Sequence, residues 1–313
     1  MILQDIKKEV SKVVVGQDEL INALLIGLIS NGHILVEGVP GLAKTTAINA
    51  LAKSLGIAFK RVQFTPDLLP SDIIGTEVYN VKTGEFYLKK GPAFTNLLLA
   101  DEINRAPSKV QSALLEVMQE KQITIGDNSF KLDEPFLVMA TQNPIEQEGA
   151  YKLPEAQLDR FLMKILVGYN TYDEELEIVN RVVVKGFENI NQVASKDEIL
   201  NLKNELKKIH FDEEVKKYMI KLIFATRKPS EYGLSQISEF LEFGASPRAS
   251  IDLYKSSAAY AMINGKDYVT PLDIAAVLKG VLRHRIMLNY KAKAKDITPD
   301  IIIEKILNTI KAP

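Results

Sequence analysis

Residues 33–46 read HILVEGVPGLAKTT, and this stretch decides the fold. The apolar segment HILVE is typical of a buried strand, a Gly-rich loop follows it directly, and a helical pattern begins near Lys44. In such a loop, backbone N–H groups and the positive end of the next helix converge on an anion. Lys44 would neutralise the β and γ phosphates of a nucleotide, and the Thr45 hydroxyl would bind magnesium. We therefore predict a phosphate loop here.

Ala43 departs from the usual loop pattern, because a glycine normally precedes the lysine. A methyl group costs little if residue 43 has helical dihedral angles, but it is strained if φ is positive. The alternative for the whole stretch is an ordinary Gly/Pro turn with Lys44 in solvent. The order of strand, loop and helix favours the phosphate loop.

Apolar runs rich in Ile, Leu and Val alternate with longer amphipathic stretches up to about residue 170. Runs without clean alternation suit parallel strands buried on both faces, and the segments between them are long enough for crossover helices. We predict an α/β fold with helices on both faces of a parallel sheet. Helices are expected from Lys44 to Gly56 and from Pro107 onward. The predicted strands are HILVE (33–37), FKRVQF (59–64), LLLAD (97–101), FLVMATQ (136–142) and LMKILV (162–167).

Two insertions interrupt this rhythm, TEVYNVKTGEFYL at 76–88 and QITIGDNSFKL at 122–132. Each has β-rich flanks around a Gly-containing turn, which predicts two hairpins that project from the sheet edge.

Beyond residue 171 the pattern becomes helical, with start signals at Ser246, Thr270 and Thr298, each followed by proline. We predict two domains: an α/β core over residues 1–170, and linker helices with an all-helical lid over residues 171–313.

Two adjacent carboxylates, Asp101 and Glu102, end the apolar segment LLLAD. Open α/β sheets bind ligands at this edge, so Asp101 can hold magnesium and Glu102 can polarise a water for attack on the γ-phosphorus. Asn143 follows another strand, and its uncharged amide could hydrogen-bond both that water and the γ-phosphate. The alternatives are solvated carboxylates that precede a helix, and an Asn-Pro turn.

Composition excludes several other kinds of protein. The 313 residues contain no cysteine and three histidines, which rules out disulfides, thiolate zinc sites and cysteine nucleophiles. The formal charge of −1 gives no global attraction to nucleic acid or anionic lipid. No apolar stretch approaches the roughly 18 residues of a membrane-spanning helix, and the amino terminus lacks a signal peptide's apolar block. We expect a soluble, cytoplasmic protein.

The order of several strings resembles the AAA+ ATPases, and within them the MoxR family. The resemblance implies a sheet with strand order 5-1-4-3-2, a helical lid, and a ring, usually a hexamer, with nucleotide at the subunit boundaries. It also implies that the two hairpins are the insertions that mark this group. The matching strings are GVPGLAKT, LLLADEINRAP, ALLEVMQE, ATQNP, LPEAQLDRF and GASPRA, within residues 38–249, preceded by VVGQ at 14–17.

The resemblance also implies a role for each matching residue. Thr45 and Asp101 would bind Mg²⁺, Glu102 would activate water, and Asn143 would be the first sensor of the γ-phosphate. The Ala43 variant is tolerated in this group. The residues expected to bind ATP are Val15, Gly16, Gly38, Val39, Pro40, Gly41, Leu42, Ala43, Lys44, Thr45 and Thr46.

Two arginines also match family positions, and a third is considered from its place in the sequence. Arg160 resembles the arginine finger that reaches a neighbouring subunit's γ-phosphate, which requires an oligomer; the alternative is a surface pair with Asp159. Arg248 resembles the second sensor, which would point from the first turn of a lid helix to the phosphates of its own subunit; the alternative is an exposed arginine. Arg105 could face a subunit boundary.

The favoured function is Mg²⁺-dependent ATP hydrolysis that remodels or activates a protein partner. The resemblance suggests a partner with a von Willebrand factor A domain. One alternative is a nucleic-acid motor, which the weakly charged hairpin at 122–132 disfavours. The other is a nucleotide-gated scaffold without turnover, which the intact Glu102, Asn143 and Arg160 disfavour.

Two remaining features have ordinary explanations. His33 is expected to pack at a strand end, because no second histidine lies near it for a metal. A basic cluster near the carboxyl terminus could contact nucleic acid or an acidic partner, although solvated helix ends commonly have this composition. The cluster comprises Arg283, His284, Arg285, Lys291, Lys293 and Lys295.

Overall fold

The computed structural model describes residues 2–144, 151–186 and 188–313. No helix within these ranges is long and apolar enough to cross a membrane. The strands are β1 (Ile34–Glu37), β2 (Phe59–Gln63), β3 (Gly75–Asn80), β4 (Glu85–Lys90), β5 (Leu97–Asp101), β6 (Gln122–Ile125), β7 (Asn128–Lys131), β8 (Leu137–Gln142), β9 (Met163–Leu166), β10 (Leu241–Phe243) and β11 (Met287–Leu288).

Five strands form one sheet in the order β2-β5-β8-β1-β9, and every pairing in it is parallel. In register, Ile34 of β1 lies opposite Met139 of β8 and Met163 of β9. If only these five strands are numbered along the chain, the order from the β9 edge is 5-1-4-3-2. The α/β class with a parallel sheet is confirmed, and the carboxyl ends of all five strands meet at one edge.

The helices follow the sequence signals closely. The helix after the Gly-rich loop begins at Lys44, and Gly56 ends it in a left-handed conformation with φ 62°, as expected of a C-terminal glycine. The helices are α1 (Ile2–Ser11), α2 (Asp18–Ser30), α3 (Lys44–Leu55), α4 (Pro70–Ile74), α5 (Ser108–Glu120), α6 (Glu155–Leu158), α7 (Tyr172–Val179), α8 (Lys196–Leu206), α9 (Glu213–Arg227), α10 (Ser235–Ser238), α11 (Pro247–Ile263), α12 (Pro271–Leu282), α13 (Tyr290–Ala294) and α14 (Pro299–Thr309), with 3₁₀ turns at Ile103–Arg105 and Pro229–Tyr232 and a π-helix at Asn180–Lys185.

Both predicted hairpins are present. Strands β3 and β4 pair antiparallel, as do β6 and β7, and each pair is a small sheet of its own. The hairpins lie side by side, since a Cβ at Gly126 would meet the Glu77 carboxylate at 3.0 Å. Both hairpins contribute residues to a groove that also includes Lys60 of β2, the edge strand of the main sheet.

The carboxyl-terminal part is helical with one exception, so the prediction of an all-helical lid was wrong in this detail. The predicted starts hold, because α11, α12 and α14 each begin at the proline after the signal residue. However, β10 pairs antiparallel with β11. The chain segments that flank α11 and α12 meet there, and Asn289 adds a backbone hydrogen bond to the Phe240 carbonyl at 3.0 Å. The pairing satisfies backbone groups that no helix uses.

The lid packs directly on the sheet. One continuous hydrophobic cluster contains residues of α1, α2, α3 and β1 together with residues of α9, α11, α12 and α14. Gly280 of α12 lies so close to β9 that a Cβ there would meet the Met163 side chain at 2.5 Å. A second cluster, with α5 and the β6–β7 hairpin, covers the opposite face of the sheet. A domain boundary near residue 170 stays a prediction.

Three residues of the carboxyl-terminal basic cluster are buried structural groups. Arg285 donates to Asp159 Oδ1 at 2.8 Å and to Asp252 Oδ2 at 2.5 Å. Arg283 donates to both carboxylate oxygens of Asp300, at 3.0 and 2.9 Å. His284 is also buried. A role in contacting nucleic acid or an acidic partner is therefore wrong for these three residues, because all three side chains are buried and bound within the fold.

His33 fills the strand-end position expected of it. The ring is buried, its Nε2 lies 2.9 Å from the Met118 carbonyl, and its Nδ1 accepts from the Val138 N–H at 3.0 Å. Both contacts are satisfied by the neutral ring, because Nδ1 must be unprotonated to accept. Burial lowers the pKa of His33 from 6.5 to about 4.

This lowered pKa predicts a specific loss of stability in acid. Between about pH 6.5 and 4 the unfolded chain binds a proton at His33 that the folded chain excludes. The His33 contribution should lower the free energy of unfolding by about 1.4 kcal/mol per pH unit as the pH falls through this window, with no effect above about pH 7. Urea unfolding of wild type and His33→Gln across this range measures the difference. Equal slopes in the two proteins would contradict the prediction.

Candidate functional site

The Gly-rich loop connects β1 to α3 and has the conformation of an anion-binding loop. Gly41 has φ 87° and Ala43 has φ 54°, so two loop residues adopt left-handed conformations. Successive N–H groups in such turns can point toward one centre. For Ala43, the structure selects the strained alternative, since a methyl group stands at a positive φ where glycine would be unstrained. Gly38 has another requirement, because a Cβ there would lie 2.6 Å from the Val167 carbonyl oxygen.

Lys44 is the first residue of α3, and its side chain folds back over the loop. Its Nζ donates to the Gly38 carbonyl at 2.6 Å. Burial lowers the pKa of Lys44, while the negative charges of Asp101 and Glu102 oppose that shift. The ammonium group thus lies between the loop and the two carboxylates, where a polyphosphate would meet it.

Asp101, at the end of β5, is held by two neighbouring strands. Thr141 of β8 donates from Oγ1 to Asp101 Oδ1 at 2.6 Å. Arg61 of β2 donates to Oδ2 through two nitrogens, at 2.7 and 3.1 Å. Sequence reasoning missed both partners, because their positions depend on strand register. Arg61 lies outside the matching strings, and Thr141 lies within ATQNP but had no assigned role.

Glu102 follows directly, in a left-handed conformation with φ 58°. Its backbone N–H donates to Thr141 Oγ1 at 2.8 Å, so one threonine hydroxyl contacts both acidic residues. Its carboxylate accepts from Gln63 at 2.7 Å and from Arg105 at 2.9 Å. Arg105, which we considered for a subunit boundary, thus reaches the carboxylate expected to activate water.

These groups surround one cavity of about 440 Å³ at the carboxyl edge of the sheet. This volume is within the range of small-molecule sites. The walls include buried Asn143 and also Val15, from the segment before α2. Among the residues expected to bind nucleotide, these line the cavity: Val15, Pro40, Gly41, Leu42, Ala43, Lys44, Thr45 and Thr46.

Gly16, Gly38 and Val39 were also expected to bind nucleotide, but they are not among the residues that line the cavity. Gly16 has φ 71° and follows the Val15 carbonyl, which accepts from Asn170 at 2.8 Å. Asn170 also lines the cavity, and the sequence analysis did not identify it. It ties the amino-terminal segment to the chain just after β9.

Thr45 and Asp101 both line this cavity, and their side chains carry hydroxyl and carboxylate oxygens. Hard oxygen donors fit Mg²⁺, which is usually held by one or two protein side chains together with substrate phosphates. In the described part of the chain, no group of three or more His, Cys, Asp or Glu side chains forms a separate metal cage. The donor set therefore fits a magnesium ion that arrives with a nucleotide.

Arg160 lies at the opposite edge of the sheet. Arg160 precedes β9, and the first residue of β9, Met163, pairs with Ile34, the first residue of β1. The strand Ile34–Glu37 alone separates the two edges by about 13 Å. Asp159 is bound to Arg285 and Ser246, and within the described ranges the Arg160 side chain forms no hydrogen bond or ion pair. The alternative of an Asp159–Arg160 pair is therefore wrong.

Arg248 requires a correction. We expected it to point to the phosphates of its own subunit, but its guanidinium is 3.4 Å from Asp159 Oδ2. It lines a cavity of about 360 Å³ together with Arg160 and His33, at the amino ends of β1 and β9. The sequence predicted the helix start correctly, but the way the lid docks turns this first turn away from the phosphate loop. Arg248 and Arg160 thus belong to one surface.

Comparisons with known proteins agree with this architecture. Residues 33–163 match the ATPase family associated with various cellular activities (AAA), and residues 235–306 match the AAA lid domain. Chaperone MoxR1 of Mycobacterium tuberculosis is 49% identical over 97% of this chain and 81% of its own length. The protein YeaC of Bacillus subtilis is 42% identical over 98% and 93%, respectively. A crystal structure of a protein from Cytophaga hutchinsonii has a TM-score of 0.93 at 53% identity, covering 100% of this chain and 95% of that chain.

The close approach at Gly38 predicts that this position tolerates no side chain. Gly38→Ala should lower the free energy of unfolding by about 1–3 kcal/mol, because the Val167 backbone must move to admit the methyl group. Urea unfolding measures this. Gly168→Ala is the matched control, since a Cβ there meets nothing within 4 Å. Equal stabilities of the two variants would show that the loop is not held against β9.

Proposed function

This chain belongs to the MoxR family of AAA+ ATPases, and on that basis we propose that it binds ATP with Mg²⁺ in the cavity at the carboxyl edge and hydrolyses it. The observation that carries the proposal is that Lys44, Thr45 and the pair Asp101–Glu102 line one cavity. The pair Lys44–Thr45 and the pair Asp101–Glu102 are far apart in the sequence, and the fold brings them together.

The loop and Lys44 would bind the phosphates, with Thr45 and Asp101 as the protein ligands of Mg²⁺. When bound, the ion neutralises phosphate charge. Arg61, which now holds Asp101 Oδ2 at 2.7 Å, supplies a positive charge beside the same oxygen. Thr141 keeps the other oxygen oriented from β8, so the carboxylate has a fixed direction.

Glu102 would orient and polarise the attacking water, with Asn143 as a neutral donor to the γ-phosphate. Both line the same cavity, and Asn143 is buried at the end of β8. Glu102 is held through its backbone by Thr141, while its carboxylate is bound by the flexible ends of Gln63 and Arg105. Side-chain rotation alone can therefore release the carboxylate toward the cavity.

We further propose that Arg160 and Arg248 complete the cavity of a neighbouring subunit. Both lie at the sheet edge opposite their own phosphate loop, so neither can serve it. A repeated head-to-tail contact that joins one edge to the other generates a closed ring, and we propose a hexamer. Positive guanidinium groups supplied across such a boundary stabilise the charge that develops on the phosphates.

The physiological role we propose is chaperone-type remodelling or activation of a protein partner in the cytoplasm. The support is similarity, because a relative 49% identical to this chain is called a chaperone. A partner that carries a von Willebrand factor A domain is our specific proposal for the substrate. The exposed aromatic residues Tyr79, Phe86 and Tyr87 of the β3–β4 hairpin offer a contact surface.

Two variants separate binding from turnover. Lys44→Ala should lose tight ATP binding, because it removes the charge that faces the phosphates. Glu102→Gln should keep ATP binding and lower turnover by at least about a hundredfold, because it removes the group that polarises water. Fluorescent-nucleotide binding and phosphate release measure the two effects. Turnover by Glu102→Gln at the wild-type rate would disprove the assignment of Glu102.

A mixing experiment tests the contribution of the neighbouring subunit. Arg160→Ala and Glu102→Gln should each be inactive alone, yet a mixture should recover activity, because about one interface in four then joins an intact cavity to an intact arginine. Arg248→Ala should behave like Arg160→Ala in the same assay. The control mixes Glu102→Gln with Lys44→Ala, in which every cavity is defective. Activity of an isolated Arg160→Ala subunit at the wild-type rate would contradict the shared site.

A further inference from the structure

A second groove, of about 600 Å³, lies outside the ATP cavity, between the free edge of β2 and the two hairpins. Its walls come from Lys60 at the start of β2, Lys90 at the end of β4, the segment Phe94–Asn96 before β5, and Ser129–Asp133 around β7. Neither the phosphate loop nor the arginine surface contributes to it. Its shape and charge require a separate explanation.

The edge of β2 offers unpaired backbone groups. β2 is the terminal strand of the main sheet and pairs only with β5. Ala58 accepts from the Leu97 N–H, and the Phe64 N–H donates to Asp101, so even-numbered residues direct their backbone toward β5. By alternation Phe59, Arg61 and Gln63 direct theirs outward. In the described residues no strand covers these groups, and such an edge accepts a further strand.

The groove is strongly basic. The side chains of Lys60, Lys90 and Lys131 line it, and in the described ranges none of the three forms an ion pair with a carboxylate. Asp133 is the acidic residue of the lining, and it faces Lys196 at 3.6 Å. The groove therefore presents three uncompensated positive charges beside an open sheet edge.

Aromatic side chains supply the apolar part of the groove. Phe94 and Phe130 meet edge to face, with ring centroids 6.0 Å apart, and both are partly buried. The Lys90 ammonium lies 5.1 Å from the centre of the Phe94 ring. This contact between the rings joins the loop before β5 to strand β7.

We propose that this groove binds an extended acidic segment of a protein partner, which adds as a strand to the edge of β2. The proposal rests on the proposed function as a remodeller of proteins, and it names the binding surface. The groove meets β2 at Lys60, and hydrogen bonds from the outward groups of Phe59, Arg61 and Gln63 would hold the segment's backbone along the strand edge. Arg61 and Gln63 also line the ATP cavity, so the bound segment would end at the rim of that cavity. Alternate side chains of an added strand face the same side, so carboxylates at every second position would meet the three lysines.

A protein strand fits these observations better than a single-stranded nucleic acid does. The sugar-phosphate backbone of a nucleic acid has no repeating N–H and C=O groups to match the open edge. A single-stranded nucleic acid also binds through aromatic faces on which bases stack. Here the Phe94 face is covered by Lys90, and the two rings contact each other.

The test uses a short fluorescein-labelled peptide in which glutamate alternates with threonine. Fluorescence anisotropy measures its binding to the full chain. The peptide should bind, and the double variant Lys60→Glu/Lys131→Glu should weaken binding at least about tenfold. The matched control is Lys82→Glu/Lys89→Glu, with the same change in charge at exposed hairpin lysines outside the groove. This control should bind within about twofold of wild type.

N-methylated peptides test the strand geometry. Methyl groups on the backbone nitrogens of one alternating set should abolish binding, and methyl groups on the other set should leave it intact, because only one set faces β2. Equal effects of the two sets would overturn strand addition. An affinity unchanged by the lysine double variant, or no peptide binding at millimolar concentration, would overturn the proposal. Tighter binding of single-stranded oligothymidine than of the peptide would do the same.

These outcomes are independent of ATP hydrolysis, because binding is measured without nucleotide. Glu102→Gln should bind the peptide as wild type does. Failure of the ATPase assignment would leave peptide binding unchanged, and failure of peptide binding would leave the Lys44 and Glu102 results standing.

Discussion

The parallel pairing of β1 with both β8 and β9 is the constraint from which the site follows. Because these strands run in one direction, the Gly-rich loop after β1 and the amide after β8 must emerge at the same edge. β5 joins on the other side of β8 and adds Asp101 and Glu102 there. A single antiparallel strand in this sheet would carry one of these groups to the far side.

Thr141 orients the acidic residues at that edge. Its hydroxyl donates to Asp101 at 2.6 Å and accepts the Glu102 backbone N–H at 2.8 Å, so one small side chain fixes the direction of two adjacent acidic residues. A hydroxyl can do this because it is both donor and acceptor. The left-handed backbone of Glu102, with φ 58°, is held by the same contact. Backbone strain at this point therefore has a structural support.

Most of the fold and the centre of the site could be predicted from the sequence, because their signals are local. The loop before Lys44 and the carboxylates after β5 are contiguous motifs whose context requires only neighbouring residues. Arg61 and Thr141 could not be predicted, since they reach Asp101 through strand register. The β10–β11 pair was missed for a related reason, as Leu241 and Leu288 meet only after two helices have packed.

The placement of Arg248 shows where local reasoning fails. Its helix start was predicted correctly, but its direction depends on how the lid docks, and that is set by buried charges distant in sequence. Arg285 binds Asp252 of α11 and Asp159 before β9, and Asp159 in turn accepts from Ser246 at the start of α11. Removing one partner of such a buried group leaves an uncompensated charge, so the arrangement is strongly selected over alternatives.

This network also brings Arg160 and Arg248 close to one residue. Asp159 directly precedes Arg160 in the chain, and its carboxylate lies 3.4 Å from the Arg248 guanidinium. A lid that shifted relative to the sheet would have to break the Arg285 contacts before it could separate them. In the proposed ring, the two arginines would therefore approach the neighbouring subunit together.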